Sequence, residues 1–288
     1  MVHGIRTQDG RRLTVEEYGD PDGTPVVLLH DTPGCRFGVV PRDVVAAHPH
    51  IRFIAYDRPG YGGSDRLAGR SVADVAQDVR AIADELGLDR FAVVGRSGGA
   101  PHALACAALI PERITRTAAL VTLAPRDADG LDWFEGMTAH NVREYTTASQ
   151  DPGGVAARLT PRADEIRRNP IQLLDDLRRE LTESDRMVVA DAGVRSMLLR
   201  NYQEALRTSA YGWIDDALAF CSPWGFDPAD IPGEVLLWHG EQDVFSPVGH
   251  SRWLADRIPG ATAVLEPAAA HFDALHALPR VLTWLLEG

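Results

Sequence analysis

The sequence predicts an α/β fold: a mostly parallel sheet flanked by helices, with a helical segment inserted late in the chain. Three observations carry this expectation. Short continuous apolar runs, such as Val26-Val27-Leu28-Leu29-His30, read as strands covered on both faces. These runs alternate with stretches of helical periodicity, which is the pattern of a parallel sheet. From about residue 126 to 230 the strand signals give way to mostly helical periodicity broken by Pro and Gly, after which strands resume. The expected division is a core of residues 1–125 and 231–288 and an inserted lid of residues 126–230. Such a lid would lie over the carboxyl ends of the strands, where α/β sheets bind ligands.

Taken in order, residues 11–18 and 26–30 read as strands, and Phe53–Asp57 as another that ends in the turn of residues 57–64. Ser71 opens a helix, with Asp74 as the partner of a capping-box-like pair. Val72, Val75, Val79, Ile82 and Leu86 then form one apolar stripe, and Gly87 supplies a left-handed end. A strand at 91–95 is followed by a helix to about Ile110, stopped by Pro111, and by a strand at 117–124. Within the insertion, 170–182 (Ile171, Leu174, Leu177, Leu181) and 187–207 (Val188, Met197, Leu198, Tyr202, Leu206) show helical spacing. Strands return at 234–239 and 261–266, with a helix from near Pro247 between them and a last helix over 272–286.

Bulk properties narrow the function. The 288 residues are 45% hydrophobic, enough for a sizeable core, and the formal charge is −12 at pH 7. With no basic run interleaved with aromatics, nucleic acid is not an expected partner, and the acidic surface disfavours an anionic membrane; the partner expected is a small-molecule substrate. No apolar stretch is long enough to cross a bilayer, and the first ten residues lack a signal-peptide core. Cys35, Cys106 and Cys221 are odd in number, far apart and without zinc spacing. A cytoplasmic protein is expected, with no metal or cofactor; oligomeric state is not readable.

The chemistry concentrates at Gly95-Arg96-Ser97-Gly98-Gly99, a Gly-x-Ser-x-Gly corner between a strand and a helix. A serine held in that corner has its hydroxyl above the sheet, and small neighbours let the strained backbone pass. A serine hydroxyl is a weak nucleophile that needs a base, and the base needs an orienting acid. In a strand–elbow architecture these follow in the order Ser, Asp or Glu, His, each on a loop after a strand. Asp243 follows the 234–239 strand, and His271 follows the last strand. The rivals are Glu241, Asp127 and Asp129 for the acid and His276 for the base.

With His30-Asp31-Thr32-Pro33-Gly34, the turn at 57–64, the serine corner, Asp243 and His271 in this order, the chain resembles the α/β-hydrolase superfamily in its lidded esterase and proline-iminopeptidase-like branch. The resemblance covers roughly residues 20–125 and 230–286. It implies a central sheet of about eight strands, Ser97 as nucleophile, His271 as general base and acid, and Asp243 as its orienter. It also implies an oxyanion hole made by the backbone N–H groups of Thr32 and Gly98, each donor worth roughly 3–4 kcal/mol to the tetrahedral oxyanion. Three positions depart from the family pattern: Asp31 replaces a usual Gly, Arg96 a frequent His or Trp, and Ala270 a frequent Gly.

Other residues read as structural. His30 braces its turn, His239 packs, Asp57 and Ser64 belong to a turn, Arg96 pairs with an acid, and Cys35 and Cys106 fill the core. Trp133, Phe134, Tyr145, Trp213, Trp224 and Phe226 fall in the insertion, mostly as packing, some as pocket lining. The expected activity is cofactor-independent hydrolysis of a small, largely apolar ester through an acyl-enzyme. Within the same triad chemistry, an iminopeptidase-type aminopeptidase would need lid acids for a free ammonium, for which Asp132, Glu135 and Glu144 are available, and a carbon–carbon bond hydrolase also fits. Epoxide hydrolases and haloalkane dehalogenases carry Asp where Ser97 stands. A ligand receptor or non-hydrolytic protein on the same scaffold is the reading from another class.

Overall fold

The computed structural model describes residues 1–287 and, within them, all side chains except those of Leu173 and Leu177. The predicted place of Leu177 in its helical stripe, and Gly288 at the end of the predicted core, therefore lie outside the described residues. Eight strands form one sheet: β1 (Val2–Arg6), β2 (Arg12–Gly19), β3 (Thr24–Leu29), β4 (Ile51–Tyr56), β5 (Phe91–Arg96), β6 (Ile114–Leu120), β7 (Val235–Gly240) and β8 (Ala261–Glu266). Their spatial order is β1-β2-β4-β3-β5-β6-β7-β8. The β1–β2 and β2–β4 pairs are antiparallel, and every pair from β4 to β8 is parallel. The carboxyl ends of β3, β5, β7 and β8 consequently share one edge, and the loops leaving them meet there.

Flanking the sheet are α1 (Arg42–Ala47), α2 (Val75–Glu85), α3 (Gly99–Leu109), α10 (Gly249–Ala255) and α11 (Ala274–Leu286). Between β6 and β7 come α4 (Ala139–Gln150), α5 (Pro152–Arg168), α6 (Pro170–Leu177), α7 (Glu183–Ala190), α8 (Ala192–Ala205) and α9 (Tyr211–Phe220). The continuous apolar runs make sense here. Val26, Leu28, Phe53, Ala92 and Val94 face a core shared with α1 and α11, while Val27, Leu29, Ile54 and Val93 face a second core against α2, α3 and α10. A strand buried on both faces needs no polar alternation.

Several boundaries differ from expectation. Residues 71–74 form a turn and α2 begins at Val75, although Asp74 Oδ2 does accept from the Ser71 N–H (2.7 Å) and hydroxyl (2.8 Å). Gly87 takes φ +66 as expected. The strand expected at 117–124 is β6 at 114–120, because Val121 turns to φ +47 and ends the ladder. The helical spacing over 187–207 belongs to two helices, split at Asp191, whose carboxylate caps α8 by accepting from the Val194 N–H at 2.9 Å. The 170–182 stretch is helical only to Leu177, the helix expected near Pro247 begins at Gly249, and residues 126–138 hold turns rather than a helix. Two elements had no sequence signal: β1, a short edge strand with only Ile5 buried, and α1, which has six residues. Among the described residues no helix is long and apolar enough to cross a membrane.

Candidate active site

The site begins with a backbone exception. Ser97, between β5 and α3, has φ +53, a region that L side chains seldom occupy. The sequence permits the turn through its glycines: a Cβ at Gly95 would stand 2.2 Å from the Gly99 carbonyl oxygen, and one at Gly99 would stand 2.1 Å from that of Leu29. The corner is anchored by the Ser97 N–H donating to the Leu120 carbonyl at 2.9 Å.

Three sequence-predicted residues converge from separate loops. Ser97 Oγ lies 3.1 Å from His271 Nε2, and His271 Nδ1 lies 2.7 Å from Asp243 Oδ2. The other Asp243 oxygen accepts from the N–H groups of Phe245 (2.8 Å) and Ser246 (3.1 Å). Asp243 is buried, which by itself favours the neutral acid. The opposing pull of His271 and of His239 outweighs burial and holds the carboxyl well below the usual range. The site therefore holds a buried carboxylate, an imidazole between it and the serine, and a serine hydroxyl within proton-transfer distance.

Thr32 packs closely on Gly98, the residue after Ser97, since a Cβ at Gly98 would stand 2.2 Å from Thr32 Oγ1, and all three residues line one cavity. Among the described residues, neither the Thr32 nor the Gly98 N–H donates to a protein acceptor. Gly98 also caps the amino end of α3, where the helix dipole favours negative charge.

The rival residues stand elsewhere. Exposed Glu241 pairs with Arg252 at 2.5 Å, and exposed His276 lies 3.6 Å from Asp273. Asp127 and Asp129 are exposed. Arg96 and Asp31, the two unusual neighbours, are partners: Arg96 Nη2 donates to Asp31 Oδ2 at 2.8 Å, both side chains being buried. The Asp that stands in place of Gly is thus matched by the Arg at the end of the neighbouring strand β5, and the two opposite charges form a buried ion pair. His30 braces its loop by accepting the Arg58 N–H at Nε2 (3.0 Å), which leaves Nδ1 to donate to the Asp31 carbonyl (2.8 Å). Burial, then Arg58, push its pKa far down, consistent with a neutral ring.

A cavity of about 150 Å³ opens over Ser97. Leu123, Tyr145, Tyr202, Trp213, Phe245 and Phe272 give it apolar and aromatic walls. Of the six aromatics singled out in the insertion, Tyr145 and Trp213 reach it, while Trp133, Phe134, Trp224 and Phe226 pack in the second core. The cavity also contains charge that the expected apolar ester does not call for: His140, Glu144, Arg162, Asp176 and Glu180. Glu144 is one of the three acids considered from sequence; Asp132 and Glu135 do not line this cavity. Its Oε1 accepts from Trp213 Nε1 at 3.0 Å, and burial raises its pKa to about 7. Sequence reasoning missed the part of His239, whose Nε2 lies 3.2 Å from Asp243 Oδ2. The signal was its position four residues before the acid, across a tight turn. Among the described residues no group of three or more His, Cys, Asp or Glu is placed to hold a metal ion.

The family described as the alpha/beta hydrolase fold matches residues 24–277, and the chain belongs to it. The chain is 27% identical over 305 residues to a proline iminopeptidase of Xanthomonas citri, covering 93% of this chain and 89% of that protein. It is 23% identical over 280 residues to the dihydrolipoyllysine-residue acetyltransferase component of the acetoin cleaving system of Pseudomonas putida, covering 94% of this chain but only 65% of that longer relative. Among solved structures, an esterase from Exiguobacterium antarcticum superposes with a TM-score of 0.70 at 19% identity, covering 100% of both chains. The enol-lactonase of Burkholderia xenovorans does so with a TM-score of 0.65 at 21% identity, again over 100% of both. At such identities the structural likeness establishes the fold.

Proposed function

We propose that the protein is a serine hydrolase that cleaves a small ester through an acyl-enzyme, with residues 126–230 acting as a lid. The observation that carries this reading is the unbroken chain Asp243–His271–Ser97, with contacts of 2.7 and 3.1 Å. In the proposed cycle His271 Nε2 removes the Ser97 proton as Oγ attacks the substrate carbonyl. The oxyanion forms beside the N–H groups of Thr32 and Gly98. His271 then gives the proton to the leaving alkoxide, and Asp243 stabilises the imidazolium between these steps. Water, deprotonated by the same imidazole, attacks the acyl-enzyme and regenerates Ser97.

A second reading has its own support. Glu144, Asp176 and Glu180 line the cavity, and such acids suit a substrate with a free ammonium, as an aminopeptidase would take. The family relationship to proline iminopeptidases points the same way. A screen of p-nitrophenyl esters of graded acyl length beside amino-acid naphthylamides separates the two. Turnover of short esters, lost by at least about 10⁴-fold in Ser97→Ala, is the expected result. Turnover of naphthylamides alone would replace the esterase reading with the aminopeptidase one, and Ser97→Ala with unchanged turnover would end both.

A further inference from the structure

Behind the loop that carries Thr32 lies a buried charge cluster that the reaction cycle does not use. At its centre is Asp216, on α9 and buried. Its Oδ2 accepts from the Thr32 hydroxyl at 2.5 Å, from Arg58 Nη2 at 2.5 Å and from the Tyr61 hydroxyl at 2.7 Å. Its Oδ1 faces Arg70 Nη2 at 2.7 Å. Arg58 Nη2 also lies 3.0 Å from Thr32 Oγ1. The threonine hydroxyl therefore has both its roles fixed: it accepts from the guanidinium and donates to the carboxylate.

The same carboxylate stands close to the other proposed donor. His102 Nδ1 donates to the Gly98 carbonyl at 2.7 Å, and its Nε2 faces Asp216 Oδ1 at 4.0 Å. Burial, then Arg58, lower the His102 pKa to about 3, so the ring is neutral and Nδ1 carries the proton that Gly98 accepts. Packing α9 onto the core does not require the Thr32 bond, because Arg58, Arg70 and Tyr61 already hold Asp216. The bond to Thr32 spans 184 residues of chain and ends on one of the two residues whose N–H groups remain open beside Ser97.

We propose that Asp216 is a positioning residue for the oxyanion pair, holding Thr32 by its hydroxyl so that the Thr32 N–H stays aimed beside that of Gly98. The proposal rests on the serine-hydrolase reading above. It gives the inserted segment a second task besides covering the cavity: one of its helices fixes the geometry of the reaction centre. Two guanidiniums outnumber the one carboxylate, so the brace does not place net negative charge behind a developing oxyanion. Donors that are held in place before reaction are the effective ones, and small misplacement costs rate rather than substrate binding.

The test is a double-mutant cycle of Thr32→Val and Asp216→Asn. Thr32→Val keeps the N–H and the shape but removes the hydroxyl, and it remains informative should Asp216→Asn, which strands two buried arginines, fail to fold. With p-nitrophenyl acetate, and active sites counted by fluorophosphonate titration, Thr32→Val is expected to lower kcat per active site about 10- to 100-fold with KM within about threefold of wild type. Asp216→Asn is expected to do the same, and the double variant to be no worse than the poorer single. Wild-type kcat in Thr32→Val, or losses that multiply in the double variant, would overturn the proposal; a role in stability alone lowers the melting temperature but not kcat per active site. Should the wild type turn over no ester, so that the hydrolase reading fails, the amide ¹H–¹⁵N resonances of Thr32 and Gly98 decide: both move in Thr32→Val if the brace is real beyond the substituted residue, and an unmoved Gly98 resonance overturns it.

Discussion

Ser97, Asp243 and His271 could each be picked out from sequence because each chemical group stands where a strand ends, and strand ends were visible as apolar runs. The tie of His239 to Asp243 was not legible, since a histidine at a strand end packs as readily as it bonds. Asp216 carried no signal at all: an acid inside a helical stretch reads as a solvated face until its partners, far away in sequence, fold around it. Arg96 and Asp31 were visible as oddities, and their pairing explains both at once. At this scale the account makes a kinetic prediction. Asp243→Asn keeps the size of the side chain but leaves His271 without a carboxylate, so kcat should fall by about 10⁴ with KM little changed. A loss under tenfold on the best ester would show that another group orients His271.

Elements were legible where their patterns were regular. The two-faced apolar strands β3, β4, β5 and β7 and the striped helix α2 follow from residue spacing alone. Errors gathered at element ends, where a single residue decides: Asp191 as a cap, Val121 at positive φ, Ser71 in a turn before its helix. The joint between β3, β5 and α3 is the tightest of these. Gly99→Ala would drive a methyl group to 2.1 Å from the Leu29 carbonyl, a backbone atom that cannot swing away. The variant should lose about 3 kcal/mol or more in urea unfolding, together with activity. A midpoint equal to the wild type's would contradict this close approach.

For the whole molecule, the mostly parallel sheet flanked by helices was readable, but the cavity was not. Its walls come from Leu123, Glu144, Tyr202, Phe245 and Phe272, residues brought together only by packing of distant segments. That packing leaves an acid buried, which predicts how stability depends on pH. The folded pKa of Glu144, about 7, lies above its ordinary value of 4.5. Between these values the folded state holds a proton that the unfolded state has lost, so this group's contribution to stability falls as pH rises from about 4.5 to 7. Glu144→Gln should flatten that decline and melt a few degrees above wild type at pH 8 while matching it more closely at pH 4.5. Parallel melting curves for the two proteins across that range would contradict the burial of a titrating carboxyl.

The central claim is that Ser97 is the activated nucleophile, and the most direct measurement is intact and peptide mass spectrometry after exposure to a fluorophosphonate. The account predicts one adduct per chain, located on Ser97, and none in Ser97→Ala. No adduct in folded wild type, or an adduct on any other residue, would contradict it.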